Sequence, residues 1–260
     1  MKSEVINTFD ELKGRIYGKR SGTICHYTSY ESLIMILKNR SLRLTRYDLM
    51  NDIAERTLSK CAEGDSRYII SFTGTNSESV AMWALYGKHS SLKLRMDFSR
   101  SSLIDSVNDN FFFDSKKNEK ISTYTVPGDY SKRRFTLSDV VYYDRQKNKL
   151  KLSGKTLHEI TVSEDTISQL AGTIKYDAWD YEKEARLAVI LHRNSQNRNL
   201  NEITHIYAGL SNEFIDNLTI TYSPWIEDEI FHHLKTSINT LVGREIKHKR
   251  STLQGEIGEL

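Results

Sequence analysis

Apolar residues recur at every second position, or in short continuous runs, along much of the chain. Such runs, rich in β-branched and aromatic residues, are typical of strands buried on one or both faces. The clearest examples are 67–73, 92–98 and 186–191. The pattern predicts strands at 23–27, 41–47, 67–73, 92–98, 140–143, 186–191, 203–208, 218–222 and 244–249.

A helical spacing of apolar residues separates several of these strands. Thr28 and Glu31 fit a capping box, in which a hydroxyl and a carboxylate satisfy each other's free amides, and Leu33, Ile36 and Leu37 follow on one face as far as Arg40. A second helix is expected from Ser223 as N-cap and Pro224 to Gly243. Weaker patterns predict helices within 1–20, 53–61, 77–87 and 164–172.

The irregular alternation of strands and helices predicts the fold class. It favours one α+β domain over 1–260 and not a doubly wound parallel sheet. The polar stretch 99–136, with Gly128 within it, is expected to be a loop or an insertion.

Composition narrows the class of protein. Hydrophobic residues make up 38% and aromatic residues 10% of 260, which is typical of a globular chain. Cys25 and Cys61 have neither disulfide-framework nor metal-site spacing, so we expect a reduced protein without a metal. We find no secretory leader, no membrane-spanning run, no P-loop, no G-x-G-x-x-G and no G-x-S-x-G, and we expect a cytoplasmic protein that binds no membrane.

Positive charge is concentrated in one segment of a chain whose net charge is only +3. Between Lys132 and Lys155, eight Lys and Arg residues stand against Asp139 and Asp144, a local balance of +6. Such a segment could follow a nucleic-acid backbone, with Tyr142 and Tyr143 stacking on unpaired bases. A solvated charged face is the other interpretation, and the sequence leaves both open.

Two carboxylates stand two residues apart in the segment Trp179–Leu191. On a strand, Glu182 and Glu184 would point to the same face, beside an apolar run. Paired carboxylates at the edge of a core suit acid–base chemistry or the stabilisation of a developing cation. A solvent-facing pair at the start of a strand is the alternative.

The block 24–42 resembles the first signature of ADP-ribosyltransferase folds of the His-Tyr-Glu type, "H-x-T-x-x-x-L-x-x-I-L". DNA-modifying toxins of the DarT kind and RNA 2′-phosphotransferases are similar at this place. The resemblance implies that His26 binds the adenosine ribose of NAD, with Thr28 nearby and Tyr27 packed on the cofactor. It also implies that Arg46 lies against the pyrophosphate. Without the resemblance, His26 is a structural hydrogen-bonding residue and Arg46 a solvated one.

A second resemblance covers nearly the whole chain. The block 70–76, the block 82–87, Asn51–Asp52 and the carboxylate segment resemble a widespread bacterial family of unknown function with "C-F-S…M-W-x-x-Y" and "W-x-Y-E-x-E-x-R" motifs. Ser71 replaces a frequent Cys, and Ala185 a frequent aromatic residue. We place Ser71 and Thr73 among the candidate cofactor contacts, and regard core packing and nicotinamide stacking as equal alternatives for Trp83 and Tyr86.

The carboxylate segment also resembles the catalytic strand of ADP-ribosyltransferases. Glu184 stands where these enzymes place their catalytic Glu, and Glu182 completes an "E-x-E". The resemblance implies a split β-sheet core with flanking helices, NAD as the consumed substrate, Glu184 as the group that stabilises the ribosyl cation, and Glu182 on the acceptor side. Asp180 is a weaker candidate for the acceptor side.

The expected function is therefore NAD-dependent ADP-ribosylation of a macromolecule. The resemblance implies RNA (including mRNA) or DNA as acceptor, and a toxin or anti-phage effector with an antitoxin partner. A non-catalytic nucleotide- or RNA-binding module on the same scaffold is the main alternative. An RNA 2′-phosphotransferase and a simple NAD hydrolase are the others.

Overall fold

The computed structural model describes residues 8–17, 21–50, 52, 65–86, 92–113, 135–152, 155–157, 163, 166–167, 170–192 and 203–258. The chain divides into two compact units. Unit 1 comprises 1–20, 43–74 and 109–208, and unit 2 comprises 21–42, 75–108 and 209–260. The single domain expected over 1–260 stays a prediction.

The described elements form an α+β chain, as expected from the sequence. The helices are α1 Phe9–Tyr17, α2 Tyr30–Asn39, α3 Val80–Leu85, α4 Arg100–Ser106, α5 Asn212–Asp216 and α6 Asp228–Val242, with 3-10 helices at Tyr47–Leu49 and Asp177–Glu182. The strands are β1 Thr23–Ser29, β2 Ser41–Arg46, β3 Asp65–Thr73, β4 Lys93–Ser99, β5 Val107–Phe113, β6 Thr136–Asp139, β7 Val141–Asp144, β8 Lys149–Leu152, β9 Lys155–Leu157, β10 Ile174–Tyr176, β11 Glu184–His192, β12 His205–Leu210, β13 Thr219–Tyr222 and β14 Lys247–Lys249.

An antiparallel pair of long strands organises unit 1. β3 and β11 run side by side over nine residues, from the pair Glu184 and Thr73 to the pair His192 and Asp65. β6 pairs with the other edge of β11, and β2 pairs with β3. Because cross-strand partners share a face, one face of the β3–β11 pair carries a row of apolar side chains: Tyr68, Ile70, Phe72, Ala185, Leu187 and Val189. The other face is mixed. Ser71, Thr73, Glu184 and Arg186 lie together at one end of it, and Ile69, Ala188 and Ile190 follow.

Unit 1 also contains a four-stranded sheet in the order β10-β7-β8-β9. β10 runs parallel to β7, and the other pairs are antiparallel. The core against one face of this sheet contains α1, whose Leu12 and Ile16 are fully buried with Val141 and Ile174. On the opposite face the register aligns Lys175, Tyr142 and Lys151 in one cross-strand row.

Unit 2 contains the sheet β14-β13-β4-β1. β1, β4 and β13 are antiparallel neighbours, whereas β14 is parallel to β13. The even positions of β4 are apolar and buried, as the alternation predicted: Leu94, Met96 and Phe98. The odd positions Arg95 and Asp97 are buried as well, so this sheet is covered on both faces.

Two predicted helix starts are wrong. β1 continues through Thr28, so the N-cap of α2 is Ser29, whose hydroxyl accepts a bond of 3.2 Å from the amide of Ser32. Ser223 does not cap α6, because its amide donates to Lys93 O (3.2 Å) and extends the pairing of β13 with β4. A turn follows it, and α6 begins five residues later and ends as expected at Gly243, which has φ 75°.

The prediction of a loop over 99–136 is also wrong for its first part, which contains a helix and a strand. Ser99 caps α4 by accepting from the amide of Ser102 at 3.0 Å, and β5 follows directly. The helix predicted at 53–61 and most of the one at 164–172 lie outside the described residues, as does Asn51.

Among the residues that the structure describes, no helix is both long enough and apolar enough to cross a membrane.

Candidate functional site

The carboxylates of Glu182 and Glu184 do converge in unit 1. Glu182 ends the 3-10 helix Asp177–Glu182, Lys183 adopts a left-handed conformation with φ 46°, and Glu184 opens β11. Both side chains reach Lys175, whose Nζ lies 2.7 Å from Glu182 Oε2 and 3.4 Å from Glu184 Oε2. The sequence predicted convergence from strand alternation, but a tight turn produces it. Both carboxylates are buried, which excludes the solvent-facing alternative for this conformation.

Arg186 is the main partner of Glu184. Its Nε donates to Oε1 at 2.7 Å and its Nη2 to Oε2 at 2.9 Å, a bidentate pair with side chains 0% and 3% exposed. Nη1 donates to the carbonyl of Gly172 at 2.9 Å. The hydroxyl of Ser71, the cross-strand neighbour of Arg186, also donates to Glu184 Oε1. Glu184 is thus fixed by donors from β3, β10 and β11.

These contacts determine the charge state of Glu184. Burial alone would raise its pKa, but Arg186 and then Lys175 lower the pKa of Glu184 to about 2. Glu184 is therefore an ionised carboxylate in a site from which water is largely excluded. Among the described residues, the carboxylates of Glu182 and Glu184 lie beside the ammonium of Lys175, and Glu184 also pairs with the guanidinium of Arg186.

Tyr142 fixes the backbone at the start of β11. The amide of Glu184 donates to the Tyr142 hydroxyl at 2.7 Å. Burial, and then the charge of Glu184, raise the pKa of Tyr142, which therefore stays protonated. Its ring is buried, so the prediction that Tyr142 stacks on bases is wrong in this conformation. Tyr143 is only half-buried, and its hydroxyl donates to Asn148 at 3.0 Å.

Thr73 and Arg46 are two further candidate cofactor-binding residues that lie in unit 1. Thr73 lies on the same face as Glu184, its cross-strand partner, and is buried. Its Oγ1 has no hydrogen-bond partner among the described residues. Arg46 ends β2 as predicted, and its Nε and Nη2 donate to the carboxylate of Asp48 at 2.6 and 3.0 Å. An anion bound by Arg46 would have to compete with Asp48.

The predicted residues of β1 in unit 2 lie on two faces of its sheet. Alternation puts His26 and Thr28 on one face and Tyr27 on the other. Tyr27 packs edge-on against Trp83, with ring centroids 4.8 Å apart. His26 is half-buried and aligned with Met96. A single ligand surface on this sheet therefore cannot include both His26 and Tyr27.

Trp83 is packed as a core residue. It is 0% exposed, and its Nε1 donates to Glu78 Oε2 at 3.0 Å. Glu78 also accepts from Ser251 Oγ (2.5 Å) and from the amide of Thr252 (2.7 Å). In this conformation Trp83 offers no surface to a nicotinamide ring, whereas Tyr86 is 38% exposed.

A buried polar network that the sequence did not predict lies on the Tyr27 face of unit 2. Asp97 accepts from Cys25 Sγ at 2.9 Å and from Thr221 Oγ1 at 2.6 Å, and forms an ion pair with Arg95 at 2.9 Å. Burial and the charge of Asp97 raise the pKa of the Cys25 thiol. Cys25 is consequently a structural hydrogen-bond donor, not a nucleophile.

The described part of the basic segment contains β6, the hairpin β7–β8 and the start of β9, all in unit 1. Arg145 and Lys147 are exposed at the tip of the hairpin, and the Arg145 guanidinium lies 3.5 Å from the ring centroid of Tyr176. Asp144 binds the amides of residues 146 and 147, both at 3.1 Å, and so shapes the turn. Residues 132–134 lie outside the described residues.

Sequence reasoning missed two of the four charges in the Glu184 cluster. Arg186 had a detectable signal, because it stands two residues from Glu184 on the same strand face. Lys175 had none, since its place in the cluster depends on the pairing of β10 with β7. No group of His, Cys, Asp and Glu side chains suited to a metal occurs among the described residues.

Comparison with known protein families gives a match over part of the chain. The model of a protein family of unknown function, DUF2971, matches residues 82–187, a range that runs from α3 to the first strand residues of β11 and includes Glu182, Glu184 and Arg186. No curated protein and no solved structure matches the chain.

Proposed function

We propose that this protein is an NAD-dependent ADP-ribosyltransferase with Glu184 as its catalytic carboxylate. The acceptor in this proposal is a nucleic acid, RNA or DNA, and the biological role is that of a toxin or anti-phage effector. An ADP-ribosyltransferase-like split β-sheet belongs to the same proposal. The observation that supports it is a fixed, ionised and buried Glu184 with a second carboxylate, Glu182, sharing the same ammonium.

The chemistry of ADP-ribosyl transfer calls for such a carboxylate. The bond between ribose C1′ and the nicotinamide nitrogen breaks with its electron pair leaving on nicotinamide, and positive charge develops on the ribose. A preorganised anion stabilises that charge more than it stabilises the ground state. The acceptor atom then bonds to C1′, and its proton passes to Glu182.

The proposal requires the cluster to open. The side chains of Lys175, Glu182, Glu184 and Arg186 are 8% exposed or less, so NAD can reach Glu184 only after a neighbouring segment moves. A carboxylate that is already ionised needs no change of protonation when that happens. In the proposal, Glu184 therefore keeps its negative charge when the cluster opens. What changes is its positively charged neighbour, which becomes the ribosyl cation of the reacting NAD.

Transfer of label from NAD tests the proposal. Purified protein is incubated with NAD labelled on its adenylate half and with RNA, DNA or protein as acceptor. We expect label on nucleic acid with the wild type and none with Glu184→Gln. Asp177→Asn is the matched control, because it removes the charge of a carboxylate that pairs with Lys151 at 3.1 Å outside the cluster. Absence of label from all three acceptors would remove the proposal.

A second candidate is a non-catalytic nucleotide- or RNA-binding module. The bidentate bond from Arg186 favours it, because Glu184 already has strong donors on both oxygens, as a structural carboxylate does. This candidate predicts equal binding of ligand by the wild type and Glu184→Gln, without turnover.

A further inference from the structure

Two tyrosine rings lie side by side at one edge of the sheet β10-β7-β8-β9. β7 and β10 are parallel, and Tyr143 and Tyr176 are cross-strand partners near the ends of these strands. Their ring centroids are 6.2 Å apart, with 32° between the ring planes. The hydroxyl of Tyr143 donates to Asn148 Oδ1 at 3.0 Å, which ties this ring to the turn between β7 and β8. Both tyrosines are half-buried, so the fold holds each ring and leaves part of it in solvent.

The first residue of this turn, Arg145, lies over one of the rings. Its guanidinium carbon is 3.5 Å from the ring centroid of Tyr176, and the residue is exposed. Among the described residues, no carboxylate forms an ion pair with Arg145. An arginine that stacks on an aromatic ring and has no acidic partner keeps a planar face and its N–H donors for a ligand.

The turn and the strand that follows it are basic. Residues 145–152 contain four Lys and Arg residues and no Asp or Glu, and two of the four, Arg145 and Lys147, lie in the turn itself. The side chain of Lys147 is 70% exposed, and its ammonium lies 3.5 Å from Asp144. The carboxylate of Asp144 is nearly buried and accepts from the amides of residues 146 and 147, so it belongs to the turn. The exposed charge at the tip of the hairpin is therefore positive.

We propose that these four residues, Tyr143, Arg145, Lys147 and Tyr176, form a surface that binds single-stranded nucleic acid. We call it the hairpin surface. An unpaired base stacks on Arg145 and Tyr176, and Lys147 contacts a phosphate of the same strand. Aromatic rings and guanidinium planes are the groups on which proteins stack unpaired bases, whereas the bases of a duplex have their faces covered by their neighbours.

This inference adds a binding surface that does not include Glu184. Binding itself requires no NAD and no turnover. The further role of the hairpin surface, to hold the strand that is modified, rests on the proposed function.

Substitution of Tyr176 tests the stacking. Fluorescence anisotropy measures the binding of short labelled RNA and DNA oligonucleotides, each offered as a single strand and as a duplex, to the full chain without NAD. Tyr176→Leu removes the ring and should weaken binding of the single strand by about fivefold or more, the effect expected for the loss of one base stack. Tyr176→Phe keeps the ring and is the matched control, which should bind as the wild type does.

Two substitutions in the turn test the other contacts. Arg145→Lys keeps the charge but not the planar face, and it should also weaken binding severalfold. Lys147→Gln should reduce the slope of log Kd against log salt concentration by about 0.7, the value for one phosphate contact in a single strand. Lys38→Gln, at an exposed position of α2 in unit 2, should leave the slope unchanged.

The results divide clearly. Loss of single-strand binding in Tyr176→Leu and in Arg145→Lys supports the proposal, and the tighter of RNA and DNA then identifies the preferred strand. Absence of binding by the wild type, equal binding of single strand and duplex, or a folded Tyr176→Leu that binds as the wild type does would overturn it. If Tyr176→Leu does not fold, Arg145→Lys in the exposed turn decides the question in the same assay.

Failure of this proposal and failure of the proposed function are distinguishable. The binding assay contains no NAD, so a negative result removes the hairpin surface and leaves ADP-ribosyl transfer standing. Failed label transfer removes the transferase and leaves the hairpin surface standing.

Discussion

Replacing Arg186 by Met should destabilise the protein strongly. The substitution removes two charge-assisted bonds to Glu184, of 2.7 and 2.9 Å, from a pair whose side chains are 0% and 3% exposed. Met replaces the aliphatic part of the Arg side chain by an uncharged chain of similar flexibility, so the lost charge is the main part of the cost. Removal of one partner from a buried ion pair costs about 3–5 kcal/mol, a large part of the roughly 5–15 kcal/mol that stabilises an ordinary domain.

The second half of this prediction concerns the double variant Glu184→Leu/Arg186→Met. It removes both charges of the Glu184–Arg186 pair and leaves the ion pair of Lys175 and Glu182 in place. The double variant should therefore be more stable than Arg186→Met alone, by about 2 kcal/mol or more, because Glu184 is no longer a buried charge that has lost its Arg186 partner.

Urea unfolding followed by circular dichroism measures these differences. Arg244→Met is the control, because Arg244 pairs with Asp216 where both side chains are well exposed, and it should change the free energy of unfolding by less than about 1 kcal/mol. A loss below about 1 kcal/mol for Arg186→Met would refute the reasoning. The reasoning would also be refuted if the losses in the free energy of unfolding caused by Glu184→Leu and by Arg186→Met, measured singly, added up to the loss of the double variant.

Three further predictions follow from burial and protonation. Glu184 has its pKa lowered from 4.5 to about 2, so its contribution to stability is present above about pH 4.5 and is lost as the pH falls towards 2; unfolding at a series of pH values should show a loss that Glu184→Gln lacks. Cys25, studied in a Cys61→Ser variant, should react with a disulfide reagent only after unfolding, and full reaction in native buffer would contradict its burial. Trp83→Ala should cost about 3–5 kcal/mol in urea unfolding, and a loss below about 1 kcal/mol would show that Trp83 is not the core residue described.

The strands that alternate clearly could be predicted from the sequence. β3, β4 and β11 lie where the pattern placed them, because a period of two with β-branched residues is a local signal. α4 was missed although Ser99 and Ser102 form its cap, since a short helix without an apolar stripe resembles a polar loop. Ser223–Pro224 gave the opposite error: a local cap signal lost to pairing with β4.

The candidate site was predictable only in part. The spacing of Glu182 and Glu184 indicated that they act together, and Ser71 joins them because β3 pairs with β11 in the register observed. Lys175 could not be predicted, since its contact with both carboxylates depends on tertiary pairing. The burial of Trp83 could not be decided either, because an aromatic residue at helical spacing suits a core and a ligand site equally well.

Release of nicotinamide from NAD tests the central claim most directly. NAD binding is first compared by calorimetry for the wild type, Glu182→Gln and Glu184→Gln, and nicotinamide is then measured by chromatography over time. The account predicts release by the wild type, and loss of release by Glu184→Gln that still folds and binds NAD. Binding without release by the wild type, or undiminished release by Glu184→Gln, would contradict it.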